Sequence, residues 1–271
     1  MSLTPAAPDL TAAHQQHAAV NHQLYSTPGV HRSYLSEVLE PSEAASLLRH
    51  QPQFAGKTVL DIGVGAGRTT RYLAPLAAHY EAVDYSPDMI GYMQRTMPEI
   101  HSQLGDFRDM NMFREATFDF IFATNNVLDN FSHEDRFKAL REAHRVLKPG
   151  GLIILSSHNL RYSQALSGPS MDWSTNPVRL ARNAQKFLLS CRNHRRIRHL
   201  RETHPDHALL NDLGHQFAII HYYATPETVV SQLQTCGFQI STIFDKQGQL
   251  VTPGFDTSGS SSLTYAAERL P

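Results

Sequence analysis

Short apolar runs alternate with amphipathic segments along the middle of the chain. Val59 to Ile62, Phe118 to Ala123 and Leu152 to Ser157 have the length and composition of buried parallel strands. The segments that begin near residues 69, 87 and 133 carry apolar residues at helical spacing. Strands that alternate with helices in this way predict a parallel sheet covered by helices.

The same pattern returns near the C-terminus. Thr225-Pro226 is predicted to supply a helix N-cap followed by proline at the first helical position, and Gly237 to end that helix. Phe238 to Phe244 and Ser262 to Arg269 are predicted to form two further strands. The connection between them is rich in Gly, Ser, Asp and Pro and has no clear apolar period, so we expect it to be mobile.

A long segment interrupts the alternation. From His158 to Tyr222 the chain runs for 65 residues, whereas connections between a strand and a helix in such units usually take ~2–6 residues. Apolar residues within it predict two helices, and we interpret the segment as an inserted helical subdomain. Eight basic residues lie from Arg179 to Arg201 without an acid among them. Such a run is commonly a solvated helix face, although it also suits an anionic partner.

The first part of the chain has a weaker pattern. Residues 1 to about 21 are rich in Ala, Gln, His and Pro and show no periodicity, so a frayed tail or loosely packed arm is expected. Ser33 to His50 is predicted to be a helix that Pro41 interrupts or restarts.

Composition adds few constraints. The chain is 41% hydrophobic and 18% charged with a formal net charge of −1, which is typical of a globular protein and does not call for nucleic acid or an anionic membrane. No apolar run approaches the ~18 residues needed to span a bilayer. The first basic residue is Arg32, so no leader peptide is predicted. Two cysteines cannot form a disulfide framework, and we expect a cytoplasmic protein.

The chemistry begins with three alternate glycines, Gly63, Gly65 and Gly67, directly after the first strand. Glycine lets a backbone approach a nucleotide-like ligand because it has no side chain to block it. The second strand ends at Asp84, 21 residues after Gly63. In a doubly wound sheet its carboxylate would lie at the edge of the adjacent strand, within reach of two ribose hydroxyls.

The spacing of the turn separates two adenosine cofactors. A dinucleotide fold has G-x-G-x-x-G, whose third glycine lets the helix pack beneath a pyrophosphate. Here Arg68 occupies that sixth position and the glycines run G-x-G-x-G after Asp61. This arrangement favours a ligand without a pyrophosphate.

The chain resembles the Rossmann-like (class I) S-adenosylmethionine-dependent methyltransferases over residues 59 to 157. The resemblance rests on five ordered motifs: DIGVGAG from Asp61, Asp84 with SPDM from Ser86, GDF from Gly105, FDFI from Phe118 and VLKPGG from Val146. It implies S-adenosyl-L-methionine as cofactor. It also implies an α/β fold with a doubly wound, mostly parallel seven-stranded sheet, its last strand antiparallel, helices on both faces and the helical insertion after strand five.

On this basis we expect four regions. Residues 1–50 form an N-terminal tail and lid helix, and 51–157 the S-adenosylmethionine-binding core. Residues 158–222 form the inserted substrate lid, and 223–271 the helix and strand hairpin that complete the core.

The resemblance also assigns cofactor-binding positions. Asp106 is expected to accept from the adenine amino group, and Phe107 to offer a backbone N–H and an apolar wall. Tyr25 or Tyr34 would touch the methionine end, or both would only pack the lid. The full predicted set is Tyr34, Asp61, Gly63, Gly65, Gly67, Arg68, Asp84, Tyr85, Met89, Asp106, Phe107 and Asn125.

Methyl transfer requires few specific catalytic residues, so it leaves little signature in a sequence. The sulfonium is already a good leaving group, so the protein mainly aligns the reactants in a dry pocket, and a base is needed only for a protonated acceptor. Candidate bases are His158, His215 and His221, each of which otherwise serves as an ordinary surface or supporting histidine. Asp129 is expected either to steer a substrate or to bond its own loop.

Several functions stay open at this stage. Thr124 to Val127 lacks the Asn/Asp-Pro-Pro-Tyr sequence of enzymes that methylate amino groups of nucleobases, which argues against that group. Asparagine is a poor ligand for a hard cation, so Asn125 and Asn126 at this strand tip argue against a metal site of the catechol type. We therefore predict a small-molecule methyltransferase, with an anionic acceptor suggested by the basic insertion, and no metal. The alternatives are an RNA-modifying enzyme and a cofactor-binding protein without transferase activity.

Overall fold

One mixed sheet organises the structure, a computed structural model that describes residues 17, 19–21, 23–25 and 38–271. The described α-helices, in chain order, are α1 (Pro41–Arg49), α2 (Gln51–Phe54), α3 (Thr70–Leu73), α4 (Pro87–Thr96), α5 (His133–Val146), α6 (Pro177–Ile197) and α7 (Pro226–Thr235). Short 3-10 helices cover Val127–Asn130, Arg198–Leu200 and Gly214–Phe217.

The described strands form a single ten-stranded sheet. They are β1 (Thr58–Ile62), β2 (His79–Asp84), β3 (His101–Leu104), β4 (Phe118–Ala123), β5 (Leu147–Asn159), β6 (Glu202–Thr203), β7 (His207–Leu210), β8 (His221–Ala224), β9 (Phe238–Asp245) and β10 (Ser262–Arg269). The order β3-β2-β1-β4-β5 is parallel throughout, and β10 lies antiparallel between β5 and β9. These seven strands confirm the predicted doubly wound, mostly parallel sheet with an antiparallel last strand.

Helices cover both faces of this sheet because its central strands are apolar on both. In β4, Phe120 and Phe122 pack toward α1, α2 and α3, whereas Ile121 and Ala123 pack toward α5 and α7. Side chains of a strand alternate between the two faces, so four successive apolar residues, Phe120 to Ala123, indicate a strand buried on both sides. Asp61 is the one charged residue in β1. It lies near the end of the strand, just before the glycine turn.

The predicted helix starts have the expected caps. Ser86 accepts from the backbone N–H of Met89 at the start of α4, and Ser132 from that of Asp135 at the start of α5. Thr225 does the same for Thr228 in α7. Each cap satisfies an otherwise unpaired donor of the first turn.

The insertion differs from the predicted pair of helices. It contains one long helix, α6, and three short strands, β6, β7 and β8, that extend the main sheet to ten strands. β4 ends opposite Leu155, and β8 then pairs in parallel with His158 and Asn159 along the same edge of β5. The extra strands form because β5 runs past the end of β4 and leaves part of its edge unpaired. Apolar residues of the insertion form β8 along this edge and bury it.

The N-terminal region is more ordered than its composition predicts. Described residues between 17 and 25 are helical, and Asn21 exchanges hydrogen bonds with the backbone of Ile220 at 2.6 and 2.9 Å. The frayed tail is therefore wrong for these residues, because a buried polar side chain ties them to the insertion. Pro41 stands at the first position of α1, where proline begins a helix rather than interrupting one. The stretch 33–37 lies outside the described residues. None of the described helices is both long and apolar enough to cross a bilayer.

Candidate active site

A cleft opens where β1 and β2 end, over the glycine turn. Gly63, Gly65 and Gly67 all have positive φ, from 58° to 81°, a region that L side chains rarely adopt. A β-carbon on Gly63 would lie 2.3 Å from a methyl of Val127, whereas one on Gly65 would meet no atom within 4 Å. Gly63 is thus required by packing, and Gly65 presents bare backbone to the open cleft.

Asp84 lies at the centre of the cleft. Its Oδ2 accepts the N–H of Gly65 at 2.9 Å and its Oδ1 that of Ser86 at 2.8 Å, so the carboxylate joins the glycine turn to the loop after β2. Burial raises its pKa to about 6, although these backbone donors pull in the opposite direction. Asp84 lines both the near part and the far part of the cleft, and its hydrogen bonds to the backbone fix the position of the carboxylate.

Asp61 lines the same cleft but bonds inward. One carboxylate oxygen accepts hydroxyls from Thr69 and Tyr80, both at 2.5 Å, and the side chain is 2% exposed. Burial raises its pKa to about 6 against these two hydrogen bonds and the nearby Arg68. Its contacts in the structure hold the start of the helix behind the turn against β2.

Arg68 is committed to an ion pair. Its guanidinium makes a two-pronged contact with the carboxylate of Glu43, a residue of α1 that is 2% exposed. The pair fastens α1 to the glycine turn, and it explains why a charged residue replaces the third glycine of a dinucleotide turn. A cofactor contact from this guanidinium stays a prediction.

The far end of the cleft is lined by Asp106 and Phe107, after β3. Arg108 donates to the Asp106 carboxylate through Nη2 at 2.6 Å and Nε at 3.0 Å. Burial would raise the pKa of Asp106, but the bonds from Arg108 outweigh it and the pKa is lowered. Phe107 is buried and, with Phe131, contributes an apolar wall suited to a flat ring.

The near end of the cleft is aromatic and polar. Tyr25 packs edge-on against Tyr85 with centroids 5.7 Å apart, and its carbonyl accepts the hydroxyl of Ser86 at 2.7 Å. Met89 and Asn125 complete this end. Tyr34, the other predicted aromatic, lies outside the described residues.

A second cavity lies beyond the corner that follows β4. Asn125 and Asn126 both adopt left-handed backbone, with φ of 57° and 59°. Asn125 lines the first cleft, and Asn126 lines the second cavity together with His158 and His221. Such strained conformations at a strand tip are typical of functional sites.

The fully buried ion pair of Asp129 and Arg136 lies against His158. Asp129 accepts from Arg136 and from the Ser157 hydroxyl, both at 2.6 Å, and neither charged side chain is exposed. The other Asp129 oxygen accepts the backbone N–H of His158 at 2.6 Å and lies 2.8 Å from its Nδ1, at an angle too oblique for a hydrogen bond. Burial would raise the pKa of Asp129, but His158, Arg136 and Ser157 outweigh it and lower the pKa. The expected steering of a substrate by Asp129 is wrong, because its carboxylate is sealed inside the protein.

A second carboxylate supports His221. Asp212 Oδ2 lies 2.8 Å from His221 Nδ1 and accepts the Tyr223 hydroxyl at 2.7 Å, while its Oδ1 accepts the N–H of Gly214 at 2.7 Å. Burial lowers the pKa of His221, but Asp212 outweighs it and the net pKa is raised. The rings of His158 and His221 lie 4.8 Å apart, so two carboxylate-backed histidines share one wall of the cavity.

His215 is placed differently from the other two histidines. Its backbone is left-handed, and its ring lies 5.5 Å edge-on from Tyr25. Burial lowers its pKa, and His221 contributes in the same direction. It contacts Tyr25, which lines the first cleft, and it is not among the residues that line the second cavity with His158 and His221.

Sequence reasoning missed Asp212 and Tyr223, which support His221, and Arg136, which neutralises Asp129. Asp212 stands in the insertion, where no motif applies. The only signal for Tyr223 was its alternation with His221 in an apolar stretch, which places both on one face of a strand.

The comparisons with known proteins agree with this geometry. Residues 59–151 match a family model described as a methyltransferase domain. These residues hold the glycine turn, Asp84 and the Asn125–Asn126 corner. Residues 59–151 of this chain thus resemble a methyltransferase domain.

Similar proteins fit this assignment. A cypemycin N-terminal methyltransferase from a Streptomyces species is 32% identical over 126 residues, covering 45% of this chain and 50% of that protein. The chain thus spans about half the length of this curated relative.

Two solved structures share the fold. An S-adenosylmethionine-dependent methyltransferase from Clostridium acetobutylicum has a TM-score of 0.60 and 14% identity over 85% of this chain and 92% of that one. A 1,6-didemethyltoxoflavin-N1-methyltransferase from Burkholderia thailandensis, solved with S-adenosylhomocysteine, has a TM-score of 0.59 and 18% identity over 100% and 94%.

Proposed function

We propose that this protein transfers the methyl group of S-adenosylmethionine to a small-molecule acceptor. The observation that carries the proposal is the open cleft in which bare backbone at Gly65 faces the carboxylate of Asp84. That carboxylate is already held by two backbone donors. A fixed acceptor beside exposed peptide suits a ribose and the chain that leads from it to sulfur.

The cofactor would extend along the cleft in one direction. Its adenine fits the apolar end at Phe107 and Phe131, with Asp106 at the rim. Its methionine end fits the Tyr25, Tyr85 and Met89 side. In this direction the sulfonium would approach the Asn125–Asn126 corner, beyond which the second cavity lies.

The acceptor would occupy that second cavity. Its lining is rich in hydrogen-bonding groups, among them Ser167, Ser262, Gln164 and Lys246, besides the two histidines. Such a lining suits a small polar acceptor bearing hydroxyl or carboxylate groups. His158, with Asp129 against its back, is the base we propose for a protonated acceptor, with His221 and His215 as the other candidates.

Transfer is tested with S-adenosylmethionine labelled on the methyl group. The purified protein is incubated separately with a low-molecular-weight metabolite extract and with bulk cellular RNA. We expect label in the metabolite fraction, and its loss in Asp84→Ala but not in the surface control Glu99→Ala. Tight S-adenosylhomocysteine binding without label in either fraction would contradict catalysis. If the alanine variants of His158, His215 and His221 each keep full turnover, none of these histidines acts as a general base.

One observation favours RNA as a second candidate acceptor. Trp173 is 82% exposed and lines a surface depression with Arg179, Arg182 and Lys186. An aromatic beside basic groups can stack on a base and bind its phosphate. Label that appears in RNA and is lost in Trp173→Ala would favour this function over the first.

A further inference from the structure

The second cavity brings two of the candidate bases, His158 and His221, together with the carboxylate of Asp212, and as metal ligands these histidines would no longer serve as bases. His158, Asp212 and His221 come from three separate places, the end of β5, the loop after β7 and the start of β8. Their potential ligand atoms all lie within 4.8 Å of one another. We propose that these three residues form a binding site for a divalent first-row transition metal ion such as Zn²⁺.

The ligand types select the class of metal. Two imidazoles and one carboxylate suit zinc, iron and related ions, whereas magnesium and calcium prefer oxygen ligands alone. Three protein ligands beside an open cavity leave a coordination position for a further ligand, as in catalytic rather than closed structural sites.

The supporting contacts resemble the outer shell of a metal site. Asn126 Nδ2 lies 3.2 Å from His158 Nε2, so a metal ion at this nitrogen would displace the Asn126 contact. Asp129 stands 2.8 Å from the opposite nitrogen, on the side where a carboxylate commonly orients a metal-binding histidine, although the two do not form a hydrogen bond. Asp212 is fixed in turn by the Tyr223 hydroxyl and the backbone of Gly214.

Charge points the same way. Asp129 is neutralised by Arg136, but among the described residues no lysine or arginine lies within ion-pair distance of Asp212. The partner of Asp212 in the structure is His221 itself, so a bound cation would take the place of the proton between them.

The distances require an adjustment of the side chains. Two ligands of a tetrahedral zinc ion with bonds of ~2.0–2.1 Å lie roughly 3.3 Å apart. His221 Nδ1 and Asp212 Oδ2 are 2.8 Å apart and all three ligand atoms lie within 4.8 Å, so binding an ion would require the side chains to rotate about their χ angles and the His221–Asp212 hydrogen bond to open. The ion would hold an acceptor oxygen in the open position and make its proton easier to lose. Metal binding does not depend on methyl transfer and can be tested without it.

The test is calorimetry of chelator-treated, tag-free protein with ZnCl₂. We expect one ion per chain, and at least ~100-fold weaker binding in His158→Ala and in Asp212→Asn, since loss of a direct ligand should exceed the 10–100-fold effect of an outer-shell change. His204→Ala is the matched control, because His204 stacks on His207 at 4.4 Å in a second histidine cluster. It should leave the affinity within about twofold.

Cobalt provides an independent measurement. Co²⁺ should show intense visible absorption of a tetrahedral site in the parent protein and in His204→Ala but not in the two ligand variants. Unchanged thermal unfolding in EDTA and unchanged S-adenosylhomocysteine affinity would establish that the ligand variants are folded. Absence of saturable zinc binding in the parent, or equal loss in His204→Ala, would overturn the proposal and leave the two histidines as metal-free groups. Neither result would touch the proposed methyl transfer.

Discussion

Cofactor binding should weaken as the pH falls through 6, because it requires an ionised Asp84. Burial raises the pKa of this carboxyl to about 6 in the free protein. Two ribose hydroxyls would donate to the carboxylate, and hydrogen bonds to a charged group contribute ~1.5–3 kcal/mol. Binding should therefore lower the pKa by roughly one to two units, since one unit corresponds to about 1.4 kcal/mol.

The magnitude follows from linkage. With a pKa of about 6 when free and a lower pKa when bound, S-adenosylhomocysteine should bind about tenfold more weakly near pH 5 than near pH 7.5. Above about pH 7 the affinity should be flat with respect to this group. Isothermal titration calorimetry across this range measures the dependence directly.

Asp84→Asn is the reference variant. It cannot ionise, so the pH dependence assigned to Asp84 should vanish, and the affinity at neutral pH should fall by ~10–150-fold. The amide also replaces one of two acceptor oxygens that bind Gly65 and Ser86, so its thermal unfolding must be compared with that of the parent. If the parent and this variant show the same pH profile, the ribose role of Asp84 is wrong.

Three further predictions concern the turn and its supports. Asp61→Asn should raise the free energy of unfolding near pH 7.5 by up to about 3 kcal/mol, because its pKa of about 6 makes stability fall as the pH rises from about 4 to 6. If denaturant titration shows a lower free energy of unfolding in Asp61→Asn than in the parent, the buried charge does not destabilise the fold. Glu43→Ala should destabilise the fold by ~3–5 kcal/mol, because it removes the carboxylate that pairs with the largely buried guanidinium of Arg68. A change below about 1 kcal/mol in the same assay would indicate that solvent compensates the arginine. Gly65→Val should abolish cofactor binding and strain the turn through its positive φ without a steric clash, whereas Gly63→Ala should impair folding more severely, because its β-carbon also meets a valine methyl. Circular dichroism with calorimetry separates the two, and normal affinity in Gly65→Val would contradict the close approach of the ligand.

Local signals predicted the core because each depends on residues near one another in the chain. Apolar runs such as Phe118 to Ala123 can be buried only as central strands. Helix caps at Ser86, Ser132 and Thr225 bond within three residues of themselves. The seven core strands and the cleft at their ends were therefore predictable from the sequence.

The insertion was not predictable in the same way. Helical spacing in residues 158–222 predicted two helices, but the structure uses only one and turns the remaining apolar residues into strands. What decides this is the unpaired edge of β5 beyond Leu155, a feature that exists only after the sheet has formed. Strand pairing depends on its partner more than on intrinsic propensity.

The sequence by itself determined the sheet, the glycine turn and the position of Asp84 opposite it, because strand order brings the ends of β1 and β2 together. Only the tertiary structure decided which groups each charged side chain meets. It enclosed Asp129 with Arg136 and brought Asp212 to His221 from a loop without a motif. Such pairs are set by burial, since a charge removed from water must find a partner wherever the fold provides one.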